Sequence, residues 1–148
     1  MDAHHGCSQS LRPERAACTG RWIAGAIYPG HDGGLKILLI SLTEEGELAS
    51  PPQVLDTQIA VGWAIKWLPD NQRFTILEQS LPSVRTDVWL FSRRDDESPI
   101  ALTRDETAEF RAYRLSPDGS YIAYPAEVSR GSSLWMVDLG DSLVEASQ

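Results

Sequence analysis

A strand, a tight turn and a second strand share residues 115–124, and this short stretch constrains the fold more than any other part of the chain. Its centre is Pro117-Asp118-Gly119. Proline fixes the φ that opens a type I turn, aspartate accepts hydrogen bonds from nearby backbone amides, and glycine takes the positive φ that closes the turn. A further apolar strand, residues 134–139, follows. The pattern predicts antiparallel strands joined by short turns.

Weaker copies of this pattern occur twice earlier in the chain. The second copy has the turn Pro69-Asp70-Asn71, in which Asn71 tolerates the left-handed conformation, and the first copy keeps only Gly20. The strands after the turns align on Ile23, Phe74 and Ile122, which are 51 and 48 residues apart (74 − 23 and 122 − 74). A period of roughly 40 to 50 residues is typical of a four-stranded propeller blade. The repeat therefore predicts three units of four strands.

The chain of 148 residues has room for one ordinary core or one run of repeats. We expect a flexible leader over residues 1–13 and blades over residues 14–58, 59–105 and 106–148. The predicted fold is all-β, with about three propeller-type blades of four antiparallel strands in an incomplete or open propeller. A loop through Gly131, a helical turn over residues 103–109 and a last strand over residues 142–146 complete the prediction.

Charge and hydropathy indicate which partners and which cellular location we expect for the chain. The formal net charge is −8, which makes nucleic acid a poor partner because phosphate binding depends largely on Lys and Arg. No apolar run approaches the roughly 18 residues of a membrane helix, so we expect no membrane span. The N-terminus lacks the pattern of a secretion signal, and the expected location is cytoplasmic if Met1 is the true start. Whether Cys7 and Cys18 pair stays open.

The sequence offers few candidates for catalysis or metal binding. It contains no Gly-x-Ser-x-Gly motif, and His31 is the only histidine outside the leader. The ligand-type residues His4, His5, Cys7 and Cys18 match no zinc spacing. The acidic residues 95–97 lack the pattern of a calcium loop, and no phosphate-binding glycine loop is present. We therefore expect no catalytic residue, no metal and no cofactor.

Tryptophans on the predicted strands are the remaining candidates for a binding role. Packing between blades is the ordinary role of such side chains, and we expect it for Trp63, Trp67, Trp89 and Trp135. The alternative applies to Trp63 and Trp67 on the innermost strand of the second copy. There they would line the channel or rim where a propeller binds peptides.

The repeat resembles the WD40-like β-propeller repeat of TolB-type proteins. The resemblance rests on residues 116–124 with residues 134–139, and on residues 86–90 and 101–103 as third and fourth strands. It covers about residues 14–146. It implies a non-catalytic scaffold that binds protein or peptide, located in the periplasm if the chain is a fragment of a TolB-like protein. The alternative is a fragment or subunit of a propeller-containing enzyme, such as a prolyl-oligopeptidase-type hydrolase, or a sensor domain of a bacterial kinase, with catalysis elsewhere.

Three blades are too few to close a propeller, which usually has four to eight. Our first interpretation is a truncated or split reading frame. The second is a homodimer in which three plus three blades form a six-bladed propeller, because open ends would otherwise expose apolar sheet faces. A different protein partner covering the ends is the third.

Overall fold

The computed structural model describes residues 16–19, 21–27, 34–57, 59, 62–79, 86–94, 96–103, 112–128 and 131–140, without the side chains of residues 16–19 and 126–128. These residues form eleven β-strands arranged in three antiparallel sheets. The expected all-β class is therefore confirmed. Within the described ranges, no helix has the length and apolar character needed to cross a membrane.

Each sheet is a meander in which every strand pairs with the next strand of the chain. Sheet 1 consists of β1 (Ala16–Thr19), β2 (Trp22–Ile27), β3 (Lys36–Ser41) and β4 (Gln53–Asp56). Sheet 2 consists of β5 (Gly62–Trp67), β6 (Arg73–Gln79), β7 (Thr86–Ser92) and β8 (Ile100–Ala101). Sheet 3 consists of β9 (Arg114–Leu115), β10 (Tyr121–Val128) and β11 (Gly131–Asp138).

Two hydrophobic cores show how the sheets stack. The first core joins sheets 1 and 2 and contains Ala24, Leu35, Ile37, Leu39, Leu55, Ile59, Ile65, Phe74, Ile76 and Phe91. The second core joins sheets 2 and 3 and contains Leu68, Leu77, Val88, Leu90, Leu102, Tyr113, Ile122, Tyr124 and Leu139. Sheet 2 is therefore covered on both faces. This explains why four successive residues of β6, Phe74 to Leu77, are all buried, whereas burial alternates along β3.

The first strands of the three sheets lie along one margin of the stack. Strand β1 contacts β5. The hydroxyl of Tyr113, the residue before β9, donates a hydrogen bond to the carbonyl of Ala64 in β5. We call this side of the stack the inner margin.

The third sheet differs from the sequence prediction around Gly131. Where a loop was expected, Val128 pairs with Gly131, so β10 and β11 form one long hairpin of eight residue pairs. Pairing continues to the hairpin end, which leaves only two residues for the connection. The predicted leader, residues 104–109 of the predicted helical turn and the predicted strand at residues 142–146 lie outside the described residues.

Candidate functional site

A β-bulge in β5 is the main irregularity of the inner margin. The Cα partners in β5 and β6 are Gly62 and Glu78, Trp63 and Leu77, Lys66 and Thr75, and Trp67 and Phe74. Ala64 and Ile65 therefore stand together opposite Ile76. Ala64 has a φ of +56°, which is uncommon for a residue other than glycine. A bulge of this kind redirects the side chains that follow it.

The bulge changes which side chains share a face of β5. In a regular strand, Trp63 and Trp67 would point the same way, because side chains alternate with period two. Here Trp63 is paired with Leu77 and faces sheet 3, whereas Trp67 packs on Phe74, with ring centroids 5.1 Å apart, and faces sheet 1. The two tryptophans proposed for a peptide-binding rim are thus separated, and Lys66 lies on the same face as Trp63.

Tyr113 holds the bulge in place from the neighbouring sheet. Its hydroxyl donates to the Ala64 carbonyl at 2.8 Å and lies 2.5 Å from the hydroxyl of Thr75. The side chain is 1% exposed. Burial raises the pKa of Tyr113, while the hydrogen bond with Thr75 opposes that shift. The phenol therefore stays neutral and keeps the proton that it donates to the bulge.

Lys66 lies against Tyr113 with its charge only partly solvated. Its Nζ donates to the Tyr113 carbonyl at 2.5 Å and lies 4.4 Å from the centre of the Tyr113 ring. Burial lowers the pKa of Lys66, and the positive charge of Arg114 lowers it further. No carboxylate among the described residues forms an ion pair with Lys66 or Arg114. The face that carries Trp63 therefore bears the positive charge of Lys66.

The turn residues singled out in the third copy form a closed hydrogen-bond network. Asp118 Oδ1 accepts hydrogen bonds from Ser116 Oγ at 2.6 Å, from Ser120 Oγ at 2.7 Å and from the Ser120 backbone amide at 3.1 Å. These bonds lower the pKa of Asp118 to about 2. Gly119, with φ +74°, donates its backbone amide to the Ser116 carbonyl at 2.9 Å. A carboxylate engaged in this way organises a turn and is poorly suited to proton transfer.

The corresponding turn in the second copy is built in the same manner. Asp70 accepts hydrogen bonds from the backbone amides of Gln72 and Arg73, and from Arg73 Nε at 2.6 Å. Burial raises the pKa of Asp70, but these bonds outweigh it and the pKa lies below its usual value. Asn71 has φ +56°, and its backbone N–H donates a hydrogen bond to the Leu68 carbonyl at 3.1 Å.

The two turns also touch each other. A Cβ added at Gly119 would lie 2.6 Å from Cδ of Pro69. Pro69 therefore packs against the backbone of the neighbouring turn, at one end of the interface between sheets 2 and 3. Pro117 is exposed. Pro69 and Gly119 therefore connect the two neighbouring sheets, whereas the hydrogen bonds of Asp70 and Asp118 lie within their own turns.

The cationic side chains were not singled out from the sequence. Lys66 lies in an otherwise apolar strand between Ile65 and Trp67, and this isolated charge was the available signal. Nothing in the sequence marks Tyr113, because its relation to Lys66 exists only when sheets 2 and 3 stack. Within the described part of the chain, no group of three metal-ligand side chains could hold a metal ion.

Chemically, this arrangement offers hydrogen-bond donors and positive charge beside an aromatic side chain. Such a set suits the binding of an anionic group. A scan against protein-family models finds no match for the chain, and neither does a search of curated proteins. The functional interpretation therefore depends on the contacts of the described residues.

Proposed function

We propose that the chain is a non-catalytic β-propeller segment that binds protein or peptide, and that a second copy of the chain covers its open ends. The observation that carries this proposal is the exposure of apolar sheet faces at both ends of the three-sheet stack. The inner sheet faces are packed against one another. The outer faces have the same apolar character but no partner within the described residues.

The last end face is the side of sheet 3 that points away from sheet 2. Pairing places Ala123 beside Met136 and Pro125 beside Leu134 on this side, because Ile122 and Tyr124 face the second core. Leu134 is 73% exposed and Met136 is 63% exposed. Tyr121 adds a further exposed aromatic ring on the same side. Contiguous apolar side chains of this size are typical of interaction surfaces.

The first end face is the side of sheet 1 that points away from sheet 2. Ile37 and Leu39 face the first core, so Leu38 and Ile40 of the same strand point outward. Val54 pairs with Leu38 and is 50% exposed. Both ends of the stack therefore present β-branched or long aliphatic side chains on a pleated sheet, which is the kind of surface that packs against another sheet.

Stacking geometry favours a second copy as the occupant. Sheets 1 and 2, and sheets 2 and 3, already join face to face in chain order. If the last end face of one copy meets the first end face of another in this way, two such contacts close a ring of six sheets. A heterologous interface of this kind gives a closed assembly when the rotation between units divides the circle.

Self-association can be tested with two matched aspartate variants. Leu134→Asp places a charge on the last end face, whereas Ser98→Asp places the same charge outside both end faces. Ser98 is exposed and lies in the link between β7 and β8 of sheet 2. Burial of a leucine contributes about 1.5 to 3 kcal/mol, so we expect Leu134→Asp to raise the dimer dissociation constant about tenfold or more. Sedimentation velocity over a concentration series measures it.

The control variant decides how the result is read. We expect Ser98→Asp to associate like the unmodified chain, and both variants to keep the β-sheet circular dichroism spectrum. Equal association of the two variants would contradict the end-face proposal. Equal loss would point to a general effect of charge, and would also count against it.

A further inference from the structure

We infer that Arg114 determines how two copies of the chain align, by donating hydrogen bonds from the last end face of one copy to a main-chain carbonyl of β1 in the other copy. This inference rests on the proposed function, in which the last end face of one copy meets the first end face of another. It deepens that function by naming the residue that selects the alignment. The precedent lies within the chain, where Lys66 joins sheets 2 and 3.

Lys66 joins its two sheets through a main-chain acceptor. Its Nζ donates to the carbonyl of Tyr113, the residue before β9. The backbone amide of Ser116 donates to the Tyr121 carbonyl at 2.9 Å, so these two residues form a hydrogen-bonded pair of the ladder between β9 and β10. Because hydrogen-bonded and non-hydrogen-bonded pairs alternate in an antiparallel ladder, the Tyr113 carbonyl points away from β10. It therefore faces the inner margin, where the amine from sheet 2 reaches it.

Arg114 occupies the position in the third copy that Lys66 occupies in the second. The two residues are 48 apart (114 − 66), and so are the turn prolines Pro69 and Pro117 (117 − 69). The strands after the turns repeat with the same separation. Each basic residue thus lies three positions before the proline of its own turn.

The two basic side chains also have equivalent directions. Arg114 pairs with Ala123, on the side of sheet 3 opposite to Ile122 and Tyr124, which face the second core. Arg114 therefore belongs to the last end face and points away from sheet 2, as Lys66 points away from sheet 1. Its side chain is exposed and forms no ion pair with the described residues.

Sheet 1 has a counterpart of Tyr113 on its first strand. In the third copy, Ile122 pairs with the residue two positions after Tyr113. In the first copy, Ile23 pairs with the residue two positions after Ala16. Ala16 is therefore the position that a basic side chain of a preceding sheet would reach.

The ladders of sheet 1 direct the carbonyl of Ala16 toward the inner margin. The backbone amide of Leu42 donates to the Arg21 carbonyl at 2.7 Å, so these residues form a hydrogen-bonded pair between β2 and β3. By alternation along β2, Ala24 bonds toward β1, where its partner is Ala17. The carbonyl of Ala16 therefore points away from β2, in the same direction as its counterpart in sheet 3.

An arginine is suited to selecting an alignment. Its guanidinium stays charged and carries five N–H donors. When two end faces meet, these donors lose water and need acceptors from the other copy, because a buried donor without a partner is destabilising. A shifted alignment of the two apolar faces separates the guanidinium of Arg114 from the carbonyl. The contact therefore favours one alignment over the others.

Matched arginine variants of the full chain test this contact. Arg114→Met removes the donors and keeps an unbranched stem, Arg114→Lys restores an ammonium like that of Lys66, and Arg94→Met makes the first change at an exposed arginine between β7 and β8. Sedimentation velocity gives the dimer dissociation constant of each variant. We expect Arg114→Met to raise it about tenfold through the loss of charge-assisted hydrogen bonds. Arg114→Lys should recover most of the affinity, and Arg94→Met should associate like the unmodified chain.

A photochemical cross-link locates the acceptor. Benzoylphenylalanine in place of Arg114 reacts with nearby C–H bonds on irradiation, and mixing isotope-labelled with unlabelled copies identifies the peptides that join two copies. We expect mass spectrometry to place these cross-links on β1 of the second copy, around Ala16.

The outcomes separate this inference from the proposed function. A dimer that forms equally well with Arg114→Met, or that Arg94→Met weakens to the same extent, would overturn the role of Arg114 and leave closure by a second copy intact. Cross-links confined to sheet 3 of the second copy would show that two last end faces meet, and would overturn both proposals. A folded chain that never associates would contradict the proposed function, and the inference would fail with it.

Discussion

At the residue scale, Asp118 shows how a single carboxylate closes a turn. Three donors surround Oδ1, from two serine hydroxyls and one backbone amide. All three bonds favour the ionised form and lower the pKa of Asp118 in the folded protein. Asp118 therefore stays ionised at pH values at which it would be protonated in the unfolded chain. The turn therefore depends on charge as well as on the conformations of proline and glycine.

We expect the carboxyl carbon of Asp118 to titrate with a pKa of about 2 in an NMR pH series. The ordinary value is 3.8, and a lowered folded-state pKa gives stability that is present above that value and lost as the pH falls from about 4 toward 2. Asp118→Asn should remove this part of the acid dependence of unfolding. Titration near the ordinary value would show that the hydrogen-bond network does not persist in solution.

Gly119 is constrained by its backbone and by its neighbour. Any other residue there would have to adopt a positive φ, which costs about 1 to 3 kcal/mol. Its Cβ would also lie only 2.6 Å from Cδ of Pro69. Gly46, with φ +84° and nothing within 4 Å of an added Cβ, has the backbone constraint alone. We expect Gly119→Ala to lower the free energy of unfolding more than Gly46→Ala does, as measured by urea denaturation. Equal losses would mean that the two turns do not touch.

At the element scale, the bulge of β5 depends on a hydroxyl from another sheet. Tyr113→Phe leaves the Ala64 carbonyl and the Thr75 hydroxyl without their buried partner, and an unmade buried hydrogen bond costs about 1 to 3 kcal/mol. We expect a loss of that size in urea unfolding. Tyr121→Phe is the matched control because Tyr121 is exposed, and its effect should stay within about 0.5 kcal/mol. Similar effects of both variants would contradict the anchoring role.

Strands with a strong local preference for β-structure were predictable from the sequence. The third strand predicted over residues 86–90 lies within β7, Thr86–Ser92, because this segment is rich in β-branched and aromatic residues. The bulge was not predictable, since Ala64 and Ile65 read as ordinary strand residues. Its position is set by Tyr113, 49 residues away in sequence. The candidate site was not predictable for the same reason, because it depends on contacts between sheets.

At the scale of the whole molecule, three sheets stack through two cores and present two further apolar faces. Sheet 2 shows what a sheet of this chain looks like when both of its faces are packed: residues Phe74 to Leu77 are fully buried. Sheets 1 and 3 each have one face packed against sheet 2 and one face without a partner among the described residues. A second copy joined end to end would give every sheet the environment of sheet 2.

The mass of the full chain in solution is the most direct test of this arrangement. One chain has a mass of 16.4 kDa. We expect multi-angle light scattering at rising protein concentration to approach twice that mass, with Leu134→Asp remaining at the mass of one chain. A folded chain that stays at the mass of a single copy at every concentration would contradict closure by a second copy.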